Sequence, residues 1–168
     1  FIRNHRVARL VTDFDPLRIK QDWKTQVIRN VDIPVDEVDA HNIVPCWLAS
    51  DRLEYAASTF RPRITRLLPE FMDDFPPIIR QHDNLHIQRI NWEAIAISLK
   101  IDHEIRPVEW LTPGENGAAV LLNQFVAQRL DQYAGKRNDP NEGCTSGLSP
   151  YLHFGHISAQ RIALEINR

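Results

Sequence analysis

No stretch of this 168-residue chain approaches the ~18 consecutive apolar residues that a bilayer-spanning helix requires. The opening FIRNHRVARL places arginines where a secretory signal needs an apolar centre, so no visible signal directs the chain out of the cell. Cysteine is scarce as well. Cys46 and Cys144 lie far apart with no CxxC or Cys/His ligand spacing, which fits reduced thiols in an intracellular protein, with a structural disulfide as the weaker alternative. An excess of positive charge is also missing: 20 Lys and Arg face 22 Asp and Glu, a formal net charge of −2. Binding to a polyanion therefore has to rest on a few placed residues rather than on bulk charge. Neither internal repeats nor low-complexity tracts occur.

What is present, 43% hydrophobic and 25% charged residues, is the composition of a globular protein. A short apolar run from Val7 to Val11 closes with Thr12-Asp13 and Asp15-Pro16, as a buried strand does on entering a loop. Leu17, Ile19, Trp23, Val27 and Ile28 follow, with Ile19, Trp23 and Val27 at four-residue steps, the pattern of an amphipathic helix. After Pro34, Val35 and Val38 predict a second short strand. Strand, helix, strand is how a parallel α/β sheet is written in sequence, with too few strands here for a whole one.

From Pro45 the pattern turns helical. YAASTFRPRITRLLPEF predicts a helix interrupted around Pro62, and FPPI a connector. NWEAIAISLKI predicts another short helix, and between residues 82 and 113 weak helical signals alternate with Pro107 and Pro113, as in a long linker. In PGENGAAVLLNQFVAQRLDQYAGKRN, one face carries Leu122, Phe125, Val126, Leu130 and Tyr133, with Gly135 expected to close the helix. The chain starts with Phe1 rather than methionine and stops inside a helical pattern with Ile157, Ile162, Ala163 and Ile166 on one side. An internal fragment is expected.

The stretch NDPNEGCTSGLSPYLHFGHIS, residues 138–158, carries the densest local signals. Ser149-Pro150 reads as a helix start, serine as N-cap and proline in the first turn, where its missing N–H costs nothing. Gly155 ends that short helix and Ser158 caps the next. Thr145, Ser146 and Gly147 form a hydroxyl-bearing lead into a helix N-terminus, a place favourable for phosphate. Ordinary capping gives the same pattern. Likewise, Tyr133 reads as a core aromatic with a polar tip and Arg137 as a cation at a helix C-terminus. His153 and His156 stand three apart without further ligands at metal spacing, so no metal site is expected. His41, in DAHNIVP, reads as a satisfied loop residue or as a neighbour of a bound chromophore, and the four tryptophans as packing anchors.

EVDAHNIVPCWLASDRLEYAASTFRPRITRLLPEF, WLTPGENGAAVLLNQFVAQRLDQYAGKRNDPN and SGLSPYLHFGHISAQRIALE, taken in order, resemble the class II cyclobutane pyrimidine dimer photolyases. The resemblance covers nearly the whole chain, with residues 78–105 poorly matched. It implies an α/β plus all-α protein: residues 1–45 the end of a parallel-sheet antenna domain, 46–112 an interdomain linker with short helices, and 113–168 the start of a helical FAD-binding domain. It further implies that Tyr133 contacts FAD, that Thr145, Ser146, Gly147, Leu148 and Ser149 hold its phosphates, and that Arg137 faces lesion-bearing DNA. His156 departs from the glutamine common in the family. Residues for the isoalloxazine ring, the flipped dimer and electron relay would follow residue 168, so no catalytic residue is assigned here.

The activity implied is light-dependent repair, in which a deoxyribodipyrimidine photo-lyase splits cyclobutane dimers in double-stranded DNA by electron transfer from reduced FAD. A second antenna chromophore of unknown identity is also implied. Such a parent would be a monomer in the nucleus or cytoplasm, without membrane association, and the fragment alone would be inactive. Two other readings share these residues: a cryptochrome-like blue-light receptor without repair activity, and a cofactor-free helical interaction module.

Overall fold

A computed structural model describes residues 1–79, 89–102 and 104–168. Its described residues form two strands and eight helices, which divide into two compact units. Residues 1–75 and 113–168 make up the first, and 76–112 the second.

The first unit begins with strand β1 (Leu10–Asp13), helix α1 (Arg18–Arg29) and strand β2 (Val35–Val38). The strands pair in parallel, Leu10 opposite Val35 and Asp13 opposite Val38, as the strand–helix–strand pattern predicts. The first strand starts three residues later than the apolar run suggests. Pairing begins at Leu10, whose N–H donates to the Pro34 carbonyl, and Arg9 just before it forms an ion pair with Asp36 of β2. Asp15 turns the chain into α1. Its Oδ1 accepts from Leu17 N–H at 2.9 Å, and its carbonyl accepts from the Gln21 side chain. Lys24 then ties α1 to β2 through Glu37 at 2.6 Å.

Helix α2 (Cys46–Ala49) is a single turn, and α3 (Ala57–Phe71) follows it. The expected interruption at Pro62 is absent: α3 runs through both Pro62 and Pro69. Each proline removes one backbone bond, yet Ile64, Leu67, Leu68 and Phe71, half-buried at three- and four-residue steps, keep the helix on its face. Packing outweighs the breaker.

Within the second unit, α4 (Trp92–Ser98) lies where a short helix is predicted, its Asn91 cap accepting from Ala94 N–H at 3.0 Å. Residues 82–88 of the expected linker lie outside the described residues. Among the described residues of this unit, Trp92 is 70% and Trp110 78% exposed.

Back in the first unit, α5 (Glu115–Gln128), α6 (Leu130–Lys136), α7 (Ser149–His153) and α8 (Ala159–Asn167) complete the fold. Its core gathers around α5 and α7, where Ala118, Leu122, Phe125, Cys144, Leu148 and Tyr151 are buried. Two expectations are corrected here. The single helix through Tyr133 is broken at Arg129, and Gly135 does not close it, since α6 continues to Lys136. Arg129 leaves helical geometry as its guanidinium donates to the Thr145 carbonyl at 3.2 Å. Gly135, at ordinary negative φ, carries no left-handed turn.

Candidate cofactor site

The sequence-predicted residues lie on α6, on the following loop and at the start of α7. Tyr133 is half-buried on α6, its ring edge-on to Phe125 at 5.4 Å between centroids. Arg137 is the residue capping α6, exposed, with its guanidinium 5.6 Å from the Tyr133 ring centroid. That placement suits both a helix-end charge and a cation held ready for a phosphate.

Two contacts fasten the loop to α6. Besides the Arg129–Thr145 bond, Lys136 meets Glu142 at 2.8 Å, and this hydrogen bond and charge hold the Lys136 ammonium above its ordinary range. Between them, buried Cys144 anchors the chain. Arg129 is the positioning residue that sequence reading missed, for nothing in helical periodicity marks a side chain whose partner lies 16 residues on.

The hydroxyls of this loop are not consumed by capping. Ser149, expected as N-cap, is the first residue of α7. Leu148 occupies the cap position, where no side chain bonds the helix. The extended geometry that a capping serine needs is absent, because Leu148 already has helical φ and ψ. Ser146 Oγ accepts from Leu148 N–H at 3.4 Å, a long local turn contact. Thr145 and Ser149 are exposed, and neither hydroxyl bonds another described residue. Gly147 stands at φ +69°, and a Cβ there would reach Leu121 Cδ2 at 3.4 Å, so glycine keeps the turn strain-free and its backbone open.

Beyond α7 the turn signals are as predicted. Gly155, at φ +68°, ends the helix, and Ser158 accepts from Arg161 N–H at 3.1 Å. His156 accepts on Nδ1 from Gly114 N–H at 3.2 Å, across 42 residues. Among the described residues no group of three His, Cys, Asp or Glu side chains is placed to hold a metal ion.

A second polar cluster lies at the C-terminal ends of the strands. Asp39 accepts from the backbone N–H of His41, Asn42 and Cys46 at 3.2, 3.1 and 2.9 Å, and from the Asn42 amide. Burial alone would push this carboxyl up, but the Asn42 amide and the three backbone donors together hold it below its ordinary range. Burial, and then the Asp39 charge, push the neighbouring Cys46 thiol up. Asp13 accepts from Ala40 N–H at 3.0 Å and meets His41 Nε2 at 3.1 Å. His41 is thus a loop residue with a partner, and it also lines a cavity of about 500 Å³ with Asp13, Lys20, Trp23 and Lys24.

A parallel strand–helix–strand unit followed by helices that carry a tethered, hydroxyl-lined turn is the framework on which known proteins can be compared. Residues 1–81 match the family model described as DNA photolyase. The deoxyribodipyrimidine photo-lyase of Potorous tridactylus is 38% identical over 172 residues, covering 100% of this chain and 32% of that protein. The deoxyribodipyrimidine photo-lyase of Arabidopsis thaliana is 38% identical over 180 residues, covering 100% of the chain and 36% of that protein. Cryptochrome-1 of Sinapis alba matches only 51 residues, at 43% identity, covering 30% of the chain and 10% of that protein. Over residues 1–81 the chain thus matches the DNA photolyase family, and along its whole length it is similar to deoxyribodipyrimidine photo-lyases. It spans about a third of the length of the curated photo-lyases it matches.

Proposed function

We propose that this chain is part of a deoxyribodipyrimidine photo-lyase of the class II type, which repairs cyclobutane pyrimidine dimers in double-stranded DNA using FAD and light. The observation that carries the reading is the Thr145–Ser149 turn: Thr145 and Ser149 keep their hydroxyls out of helix capping, beside an exposed glycine at positive φ. That donor set fits the phosphates of FAD. Hydroxyl and backbone N–H donors bind phosphate without needing a local excess of cations. Tyr133, half-buried and steadied by Phe125, would contact the cofactor, and Arg137 would meet a DNA phosphate near the lesion.

In this reading residues 1–45 end an α/β antenna domain, 46–112 link it onward, and 113–168 open the helical FAD-binding domain. The parallel β1–β2 pair and the family match over residues 1–81 support the first assignment. Bound and photoexcited, reduced flavin supplies the electron that splits the cyclobutane ring. This chain's share is to orient and hold: Arg129 and Lys136 fix the turn against α6, and Leu148 and Tyr151 bury its C-terminal end. Because the dimer lies within a duplex, it has to be extruded before it reaches the flavin. Such a parent works as a monomer wherever the cell keeps its DNA, with a second, antenna chromophore.

A cryptochrome-like light receptor would share these elements, but the cryptochrome matches are either short, 51 residues, or distant, 24% identical over 155 residues, against 38% identity to a photo-lyase along the whole chain. Light decides between them. The complete protein, mixed with dimer-containing duplex DNA, should remove dimers under blue light and none in the dark. A flavin-bearing protein that repairs nothing when illuminated would favour the receptor, and one without flavin the interaction module.

A further inference from the structure

We propose that His156 is an acid-sensitive latch: with a neutral ring it holds the start of α5 to the end of α7, and a second proton on that ring opens the junction. Gly114 N–H donates to His156 Nδ1 at 3.2 Å, so Nδ1 carries a lone pair and the ring proton sits on Nε2. Gly114 is also the residue from which α5 starts. It sits at φ +91°, and its carbonyl accepts the first helical bond, from Ala118 N–H at 3.1 Å. The backbone of His156 works at the other end, donating to the Tyr151 carbonyl at 2.8 Å to close α7. Two residues later Ser158 caps α8. His156 therefore joins two helix ends, and a third helix starts just after it.

A second proton turns Nδ1 into a donor facing the donor Gly114 N–H, so this bond cannot survive protonation. The imidazolium would in addition face the N-terminal, positive end of the 14-residue helix α5. Other charged and titratable groups surround the ring. Glu115 on α5 and Arg161 on α8 line a cavity of about 530 Å³ with it. Arg161 stacks on Phe75, 4.4 Å from the ring centroid, and α7 contributes Tyr151, 5.9 Å from the imidazole, and exposed His153. The segment before Phe75 brings Asp73, whose carbonyl accepts from Gln160 at 2.8 Å, and Asp74, paired with Arg168 at 3.3 Å. Histidine is the one of these side chains whose ordinary titration falls near neutrality.

Hydrogen exchange at the start of α5, measured in the complete protein and corrected for intrinsic pH dependence, tests the latch. Between about pH 8 and about pH 5, the amides of Ala118 and Ala119 should lose about fivefold protection, the factor one net hydrogen bond represents. His156→Gln keeps an acceptor but cannot titrate, and should show no such loss. His153→Gln should behave as the wild type. Equal losses in wild type and His156→Gln, or none in the wild type, would overturn the proposal. Nitrogen-15 spectra of the wild-type imidazole give a check that needs no variant: a bare Nε2 with a protonated Nδ1 at about pH 8 contradicts the latch.

Discussion

Asp39 shows how one carboxylate can organise a loop. Its two oxygens gather three backbone N–H groups and the Asn42 amide, and so set the path from the end of β2 into α2. Asp39→Ala in the complete protein should lower stability by about 1–2 kcal/mol, the loss usual for a carboxylate that satisfies helix-start amides. Thermal or denaturant unfolding reads this out. Because the folded carboxyl lies below its ordinary 3.8, its contribution is fully present above about pH 4 and disappears as pH falls through the lowered value. Asp39→Asn should flatten that acid limb, and an unchanged limb would assign the acid loss to other carboxylates. At this scale sequence reading finds residues whose partners are near in the chain, such as Ser158 with Arg161. Arg129 and His156 stay hidden because their partners lie 16 and 42 residues away and depend on how helices meet.

The helices and strands divide along the same physical line. β1, α1, β2, α4, α5 and the Gly155–Ser158 junction are legible because hydrophobic period or turn chemistry fixes each locally. The continuity of α3 through Pro62 and the break at Arg129 are not, since each is decided by packing or by a distant acceptor that overrides local preference. Of the apolar face expected on α5 and α6, Leu122 and Phe125 are buried while Val126, Leu130 and Tyr133 are half-buried, so the core centres on α5. Leu122 is 2% exposed, and truncating such a side chain costs both transfer energy and a cavity. Leu122→Ala in the complete protein should therefore lose about 3 kcal/mol, measured by denaturant unfolding. A loss under about 1 kcal/mol would mean that this helix is not central to its domain.

Across the whole molecule, a small buried core coexists with wide apolar surfaces in each unit. Val11, Leu17 and Trp23 are more than half exposed in the first unit, and Ile78, Trp92 and Trp110 in the second. The tryptophans expected as packing anchors thus anchor little within this chain. Open surfaces of this kind mark contact with further structure, in keeping with a chain that spans about a third of its photo-lyase relatives. The family was legible in the order of its motifs, while Tyr133, Arg137 and the Thr145–Ser149 turn stand out only through that resemblance, since packing, helix-end charge and capping write the same residues. The most direct measurement is the flavin-to-protein ratio and flavin release rate of the complete protein, comparing wild type with Ser146→Ala/Ser149→Ala. If this turn holds the phosphates of FAD, the double variant should release flavin roughly tenfold faster or more, the effect of losing two hydroxyl hydrogen bonds. Unchanged stoichiometry and release would contradict the central claim and return the turn to a helix lead-in.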